Sequence, residues 1–313
     1  MKNTPSSAEI FNLFNNNDPD IVWNKVSDII SRISPLYDFT LIQSVFNDVV
    51  RLFRGEYPGY CAVKTLYHDL SHTLDVILCG VRLMHGTHLS GDHLSDNEIT
   101  LITLAMLMHD VGYAQRQDEE SGTGAQYTQT HVPRGIEFMR SYFSEHKLPD
   151  SAEDVISGMM SGTEHTTPFL QIKFNDERAR MMARIVATAD ITGQMADRAY
   201  LEKLLFLYQE FNEAHFGSFQ SMYEMLCQTN RFYEETRKKL DGALGGVYRK
   251  LEFHFKDSLG IGNNFYLESI EKNMLYLQQV VAHDEAEYLS MLKRNGIVEK
   301  SRLFAQSQLG TTH

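Results

Sequence analysis

The sequence predicts an all-α protein. Apolar residues recur at helical spacing along almost the whole chain, strictly alternating apolar and polar runs are scarce, and only 7 prolines interrupt 313 residues. Hydrophobic residues make up 42% and charged residues 22%, the balance of a globular chain long enough to bury a large core.

Taken in order, "DIVWNKVSDIISRI" places Ile21, Val22, Val26, Ile29 and Ile30 on one helical face, and "FTLIQSVFNDVVRLF" repeats the pattern. "RGEYPGY" interrupts it as a loop, after which "LYHDLSHTLDVILCGVRLMH" enters a helix. "HGTHLSGDHL" is polar and contains glycine, so it reads as a connection with His85, His88 and His93 in solvent. Ser95 and Glu98 form a capping-box pattern at the head of a helix ending near His109. "RQDEESGTGAQYTQT" is a polar loop, and helices are expected at 128–148, 150–162 and 176–196. Pro149 marks a break there, with Asp150 or Ser151 as N-cap.

From 198 onward, "AYLEKLLFLYQEF", "FQSMYEMLCQTNRFYEETRKKL" and "FYLESIEKNMLYLQQVVAHDEAEYLSMLKRN" are helical in pattern. No internal repeat or linker is visible. The expected organisation is one compact unit, with an N-terminal helical segment (1–59), a site-bearing core (60–215) and a C-terminal helical extension (216–313). The stripe of Met222, Tyr223, Met225, Leu226, Leu275, Tyr276, Leu277, Val280 and Val281 fits either intramolecular core or a partner surface.

A net charge of -12 argues against a nucleic-acid polymer as partner, since phosphate backbones require clustered Lys and Arg. A small phosphate ligand stays compatible, because bound cations reverse the local field. Cys61, Cys79 and Cys227 are too scattered for a disulfide framework or thiolate site. "MKNTPSSAEIFNLF" lacks a signal-like apolar core and no run has the apolar length of a membrane span, so a cytoplasmic protein without membrane partners is expected. A homo-oligomer stays open.

Of the 13 histidines, four stand out by context. His72 lies where an apolar helix begins, His109 closes another beside Asp110, His131 opens "THVPRGIEFM", and His165 follows an apolar turn in "SGTEHTTP". Asp190 sits inside "RIVATADITGQM", where a charge among Ile, Val and Ala is costly unless paired or metal-bound. Singly, each fits a satisfied buried polar residue. Together they supply four imidazoles and two carboxylates on separate helices, the way bundles build metal sites. A nitrogen and oxygen donor set without thiolate suits Fe, Mn, Mg, Co or Zn. His146, His215, His254, His283 and His313 lie among charged or mixed residues and receive no role.

The ordered set His72, His109-Asp110 and Asp190 resembles the H…HD…D signature of the HD superfamily of metal-dependent phosphohydrolases, and "LMHDVGY" and "RIVATADITGQMADRAY" share its apolar flanks. Adding His131 and His165 gives a pattern similar to the dinuclear members, including HD-GYP cyclic di-GMP phosphodiesterases. The resemblance covers roughly residues 60–200. It implies an HD-domain helical bundle with additional N- and C-terminal helices, and a pair of divalent ions: His72, His109 and Asp190 on one, His131 and His165 on the other, Asp110 bridging both. "YHDLSHTLDV" separately resembles the Y-H-N-x-x-H-x-x-D/N-V motif of 3′,5′-cyclic-nucleotide phosphodiesterases, with Asp69 in place of Asn. That likeness makes His68 the proton donor to the leaving oxygen; a metal ligand and a helix-start histidine bonded to backbone are the alternatives.

Two departures bear on substrate. Those phosphodiesterases continue H-D-x-x-H and the HD-GYP proteins H-D-x-G-K, whereas Tyr113 stands here, and "TTPFLQIKFNDERAR" replaces GYP after His165. The resemblance therefore implies hydrolysis of a small phosphorylated, nucleotide-like ester by metal-activated water, without naming cyclic di-GMP. Asp75 and Glu164 are candidates to orient the ligand imidazoles, and Arg134 and Arg198 to contact phosphate; solvated carboxylates and ion-paired arginines are the alternatives. Two other functions share this donor set: an HD-fold diiron oxygenase and a non-catalytic nucleotide-sensing module.

Overall fold

The computed structural model describes residues 13–14, 17–119, 122–148, 152–164 and 167–309. Twelve α-helices occur among them, and the β pairing they contain is a single antiparallel bridge between Tyr60 and Arg116. The fold is all-α, as the periodicity predicts. No helix among the described residues is long and apolar enough to cross a membrane.

α1 (Pro19–Ile33) starts where the Asp18 carboxylate accepts from the Asp20 and Ile21 amides, with proline in the first turn, and it buries Val22, Val26, Ile29, Ile30 and Ile33. Ile21 falls off that face and is exposed. α2 (Thr40–Arg54) ends at Gly55 in the left-handed region. α3 (Leu70–Leu89) is capped by Asp69, whose carboxylate accepts from the His72 amide at 3.0 Å. α4 (Asp96–Met108) has the full Ser95–Glu98 capping box and is buried from Leu101 to Met108. Helix α5 is His131–His146, α6 is Glu153–Ser161, and α7 is Glu177–Met195, capped by Asp176. Asp150 and Ser151, expected to cap α6, lie outside the described residues.

α3 is the axis of the bundle. It packs against α7 more extensively than any other helix pair does, and also against α1 and α4. α8 (Tyr200–Glu213), α9 (Met222–Asp241), α10 (Leu251–Leu259), α11 (Phe265–Val281) and α12 (Ile297–Leu309) complete the chain. One contiguous core runs from Val22 to Leu292, so all three sequence segments share it. Met225, Leu226, Leu277 and Val280 are part of that core, whereas Leu275 is exposed.

The structure corrects the reading of "HGTHLSGDHL". α3 continues through Leu89, and His85 is buried rather than solvated. Gly86 is no breaker here: a Cβ on it would lie 1.9 Å from the Lys250 carbonyl oxygen, so glycine lets the turn before α10 close onto α3. α10 then covers the polar end of α3, which local pattern could not reveal. His88 is half-buried against the exposed His93 ring.

His85 and His254 meet through their Nδ1 atoms at 3.0 Å. One nitrogen carries the proton and the other accepts, so protonating the acceptor would set two N–H groups face to face. Burial, then Arg82, His85 and Arg32, push His254 from 6.5 down to about 2. His85 is lowered by burial, with Asp257 partly opposing. A depressed folded-state pKa means the unfolded chain binds the proton first. The resulting stability is complete above about pH 6.5 and is lost as pH falls below it, by up to about 1.4 kcal/mol per pH unit for His254. The urea midpoint is expected to fall more steeply between pH 7 and pH 5 for the parent protein than for His254→Leu; identical slopes would refute this account.

Candidate functional site

Four donors converge where α3, α4 and α7 cross. His72 lies in the first turn of α3, His109 caps the C-terminus of α4, Asp110 follows it, and Asp190 lies within α7. His72 Nε2 is 3.2 Å from Asp110 Oδ2 and 3.3 Å from Asp190 Oδ1. His109 Nε2 is 3.1 Å from Asp110 Oδ2 and 3.9 Å from Asp190 Oδ1, and the two Nε2 atoms are 3.2 Å apart. Donors bound at about 2.0–2.2 Å to one divalent ion lie roughly 3.0–3.6 Å apart when adjacent. The spacings among His72, His109 and Asp110 match that cage, while Asp190 borders it at 3.3 Å from His72 and 3.9 Å from His109.

The protons point the same way. His109 Nδ1 lies 2.8 Å from the Met106 carbonyl oxygen and His131 Nδ1 lies 2.7 Å from that of Thr128. A carbonyl only accepts, so each Nδ1 carries hydrogen and each neutral ring offers its Nε2 lone pair to the site. Asp110 Oδ2 is buried without a hydrogen-bond partner. Two buried carboxylates demand positive charge. Burial disfavours the His72 cation, but Asp110 and Asp190 outweigh it and push this imidazole up to about 10. Burial also raises Asp110 and Asp190, and the imidazoles beside them more than reverse that, leaving both below the usual carboxylate range. The residues fit a cation.

On the other side of Asp110, its Oδ1 is 3.6 Å from His131 Nε2. Asp110 thus meets His72 and His109 with one oxygen and His131 with the other. His165 lies outside the described residues.

His68 stands at the cavity wall and is held by a carboxylate that sequence reasoning missed. Glu210 of α8 meets His68 Nδ1 at 2.6 Å through Oε2, while its Oε1 accepts the Tyr67 amide at 2.6 Å. The backbone-bonded alternative for the His68 ring therefore does not apply. Glu202, Phe206 and Glu210 are all buried at i, i+4 and i+8, so a carboxylate lying on an apolar stripe was the signal available. Tyr113, at the position where the resemblance departs, is fully buried. Its ring lies nearly parallel to both His68 and His131, 4.6 Å from each.

The remaining candidates separate. Glu164 lines the cavity that holds Asp110 and Asp190. Asp75 and Arg198 instead line a second cavity with Lys203, so neither stands among the donors. Arg134 takes the ion-paired alternative: it donates to the Gly112 and Ala114 carbonyls and to both Glu119 oxygens, and stacks 3.6 Å over the Tyr127 ring. It clamps the turn that follows Asp110.

Asp110, His131 and Asp190 line a cavity of about 510 Å³ whose wall also includes side chains of α8 and α9. Residues 58–240, more than half of the chain, match the family model described as Npun_R2479-like. The chain belongs to this family. The Npun_R2479-like segment contains every donor named above, the His68–Glu210 pair, and the residues of α8 and α9 that line the cavity. Among curated proteins, none matches.

Proposed function

We propose that this Npun_R2479-like protein is a metal-dependent phosphohydrolase of the HD type, acting on a small phosphate ester. The supporting observation is the buried cage of His72, His109, Asp110 and Asp190 opening into the cavity that His68 also lines. A divalent ion in that cage supplies neutralisation of phosphoryl charge and a water of lowered pKa. His72, His109, Asp110 and Asp190 would hold such an ion, and His131, 3.6 Å from Asp110 Oδ1, would be a ligand for a second.

His68 is the proton donor in this reading. With Nδ1 engaged by Glu210, its Nε2 is the ring nitrogen left for the cavity, and the Glu210 carboxylate fixes the orientation of the ring. Tyr113 packs flat against that ring and limits its tilt.

The test is a screen of phosphate esters with protein loaded with Mn, Fe, Co, Zn or Mg, alongside elemental analysis. Phosphate release with at least one metal is expected. His68→Ala should slow hydrolysis of alkyl esters by about 10²–10⁴-fold, but slow p-nitrophenyl esters far less, because that leaving group needs no proton. Oxygen consumption by iron-loaded protein without ester hydrolysis would replace this reading by the oxygenase one. Metal-replete protein inert to both would point to a non-catalytic module.

A further inference from the structure

We propose that the ester taken by this site carries a large apolar alcohol, selected by the wall that α8 and α9 build opposite the metal cage; this rests on the phosphohydrolase reading above. Leu204, Leu207 and Phe211 of α8, Met225 and Phe232 of α9, and Phe219 from the connection all line the cavity. The Phe211 and Phe219 rings are parallel to within 8° at 6.4 Å, a preformed aromatic face.

Several polar side chains of the lining are turned to other partners, whereas the exposed Gln129 and the buried Tyr113 hydroxyl are not. The hydroxyls of Thr128, Thr163 and Thr229 donate to the carbonyls of Ala125, Met160 and Met225 at 2.7–2.9 Å. Gln228 Nε2 donates to Glu224 at 3.0 Å, and the Gln194 amide lies between the Tyr67 hydroxyl and Asp190. Arg231, the one Arg or Lys among the described lining residues, is exposed at the rim and paired with Glu235 at 3.0 Å.

A nucleoside entering between α8 and α9 would desolvate its ribose hydroxyls and base edge with few matched partners there, which costs more than the contacts return. A di- or triphosphate tail would meet Glu164 and Glu235. An alkyl or aryl body loses only unfavourable hydration. The expectation therefore shifts from the nucleotide-like ester that the sequence suggests to an amphiphilic one, aliphatic or aromatic.

The experiment uses the full chain loaded with its most active metal. It compares n-alkyl phosphates from ethyl to decyl, below micelle-forming concentrations, and 1-naphthyl phosphate with AMP, cyclic AMP and glycerol 1-phosphate. Monoesters and methyl diesters are both included. Values of kcat/KM should rise about threefold per methylene over the first several carbons, and decyl phosphate should exceed AMP by on the order of 100-fold. Phe211→Gln should flatten the chain-length dependence. A steep alkyl series with weak 1-naphthyl phosphate turnover supports an aliphatic body, and the reverse an aromatic one.

Higher kcat/KM for nucleotides or glycerol 1-phosphate, or no chain-length dependence, overturns this proposal and leaves the phosphohydrolase reading in place. Hydrolysis of none of the esters overturns that reading instead. Calorimetry of the same series then decides the cavity's preference: tighter binding of decyl than ethyl phosphate by on the order of 100-fold supports it, and equal affinity refutes it.

Discussion

Asp110→Asn protein is expected to keep its helical content, lose most of its bound metal, and hydrolyse phosphate esters on the order of 10³-fold more slowly, about 4 kcal/mol of transition-state stabilisation. The substitution preserves volume and removes only the charge. Asp110 Oδ2 lies 3.1 Å and 3.2 Å from the Nε2 atoms of His109 and His72, and Oδ1 lies 3.6 Å from that of His131. No other carboxylate among the described residues meets all three imidazoles. An amide balances no cationic charge, and its NH2 would displace an oxygen from one side of the cage. Elemental analysis, circular dichroism and kcat/KM check the three parts. Unchanged metal content together with unchanged activity would remove Asp110 from the centre of the site.

The second large effect is structural. Gly112→Ala is expected to destabilise the protein by about 4 kcal/mol or more, among the largest single-residue losses. Gly112 lies in the 3-10 turn Val111–Tyr113, directly after Asp110. A Cβ there would lie 1.8 Å from the His131 carbonyl oxygen and 2.7 Å from the Gly135 amide nitrogen. Both are backbone atoms, so no rotamer change relieves the overlap, and α5 must move. Moving α5 carries His131 away from Asp110. Arg134 makes this worse, because it ties the Gly112 carbonyl to α5 from the same side. Thermal unfolding measures the loss. Gly135→Ala is the comparison: there the nearest atom is the flexible Met160 Cε at 3.1 Å, and a milder effect is expected. Equal stabilities for Gly112→Ala and the parent would show that α5 is free to shift.

Much of the cage was legible because its donors break an apolar pattern. His72 and Asp190 stand on helices that are otherwise core, Asp110 follows the end of another, and the fold brings them together. His109 closes α4 for the same reason. Glu210 also interrupts an apolar stripe, but it sits in a segment with many charges, so its burial becomes visible only when α8 is placed against the 65–68 loop. His85 shows the opposite failure. Its neighbours are polar and glycine-containing, and its burial depends on α10, more than 160 positions away in the chain. The apolar end of the cavity was hidden for a related reason: Phe211 and Phe219 each look like ordinary core residues, and only the turn between α8 and α9 stacks their rings.

The same crossing that forms the cage also joins the most tightly associated helices of the bundle. α3 and α7 meet along their lengths, α4 is almost wholly enclosed beside them, and each contributes to the donor set. Unfolding scatters those side chains over a stretch from 72 to 190. An ion captured there would fasten three helices at once and act as a rivet of the native state, adding about 2.7 kcal/mol when free metal stands at 100 times its dissociation constant. Metal supply would then govern how long the molecule survives, as well as how fast it turns over.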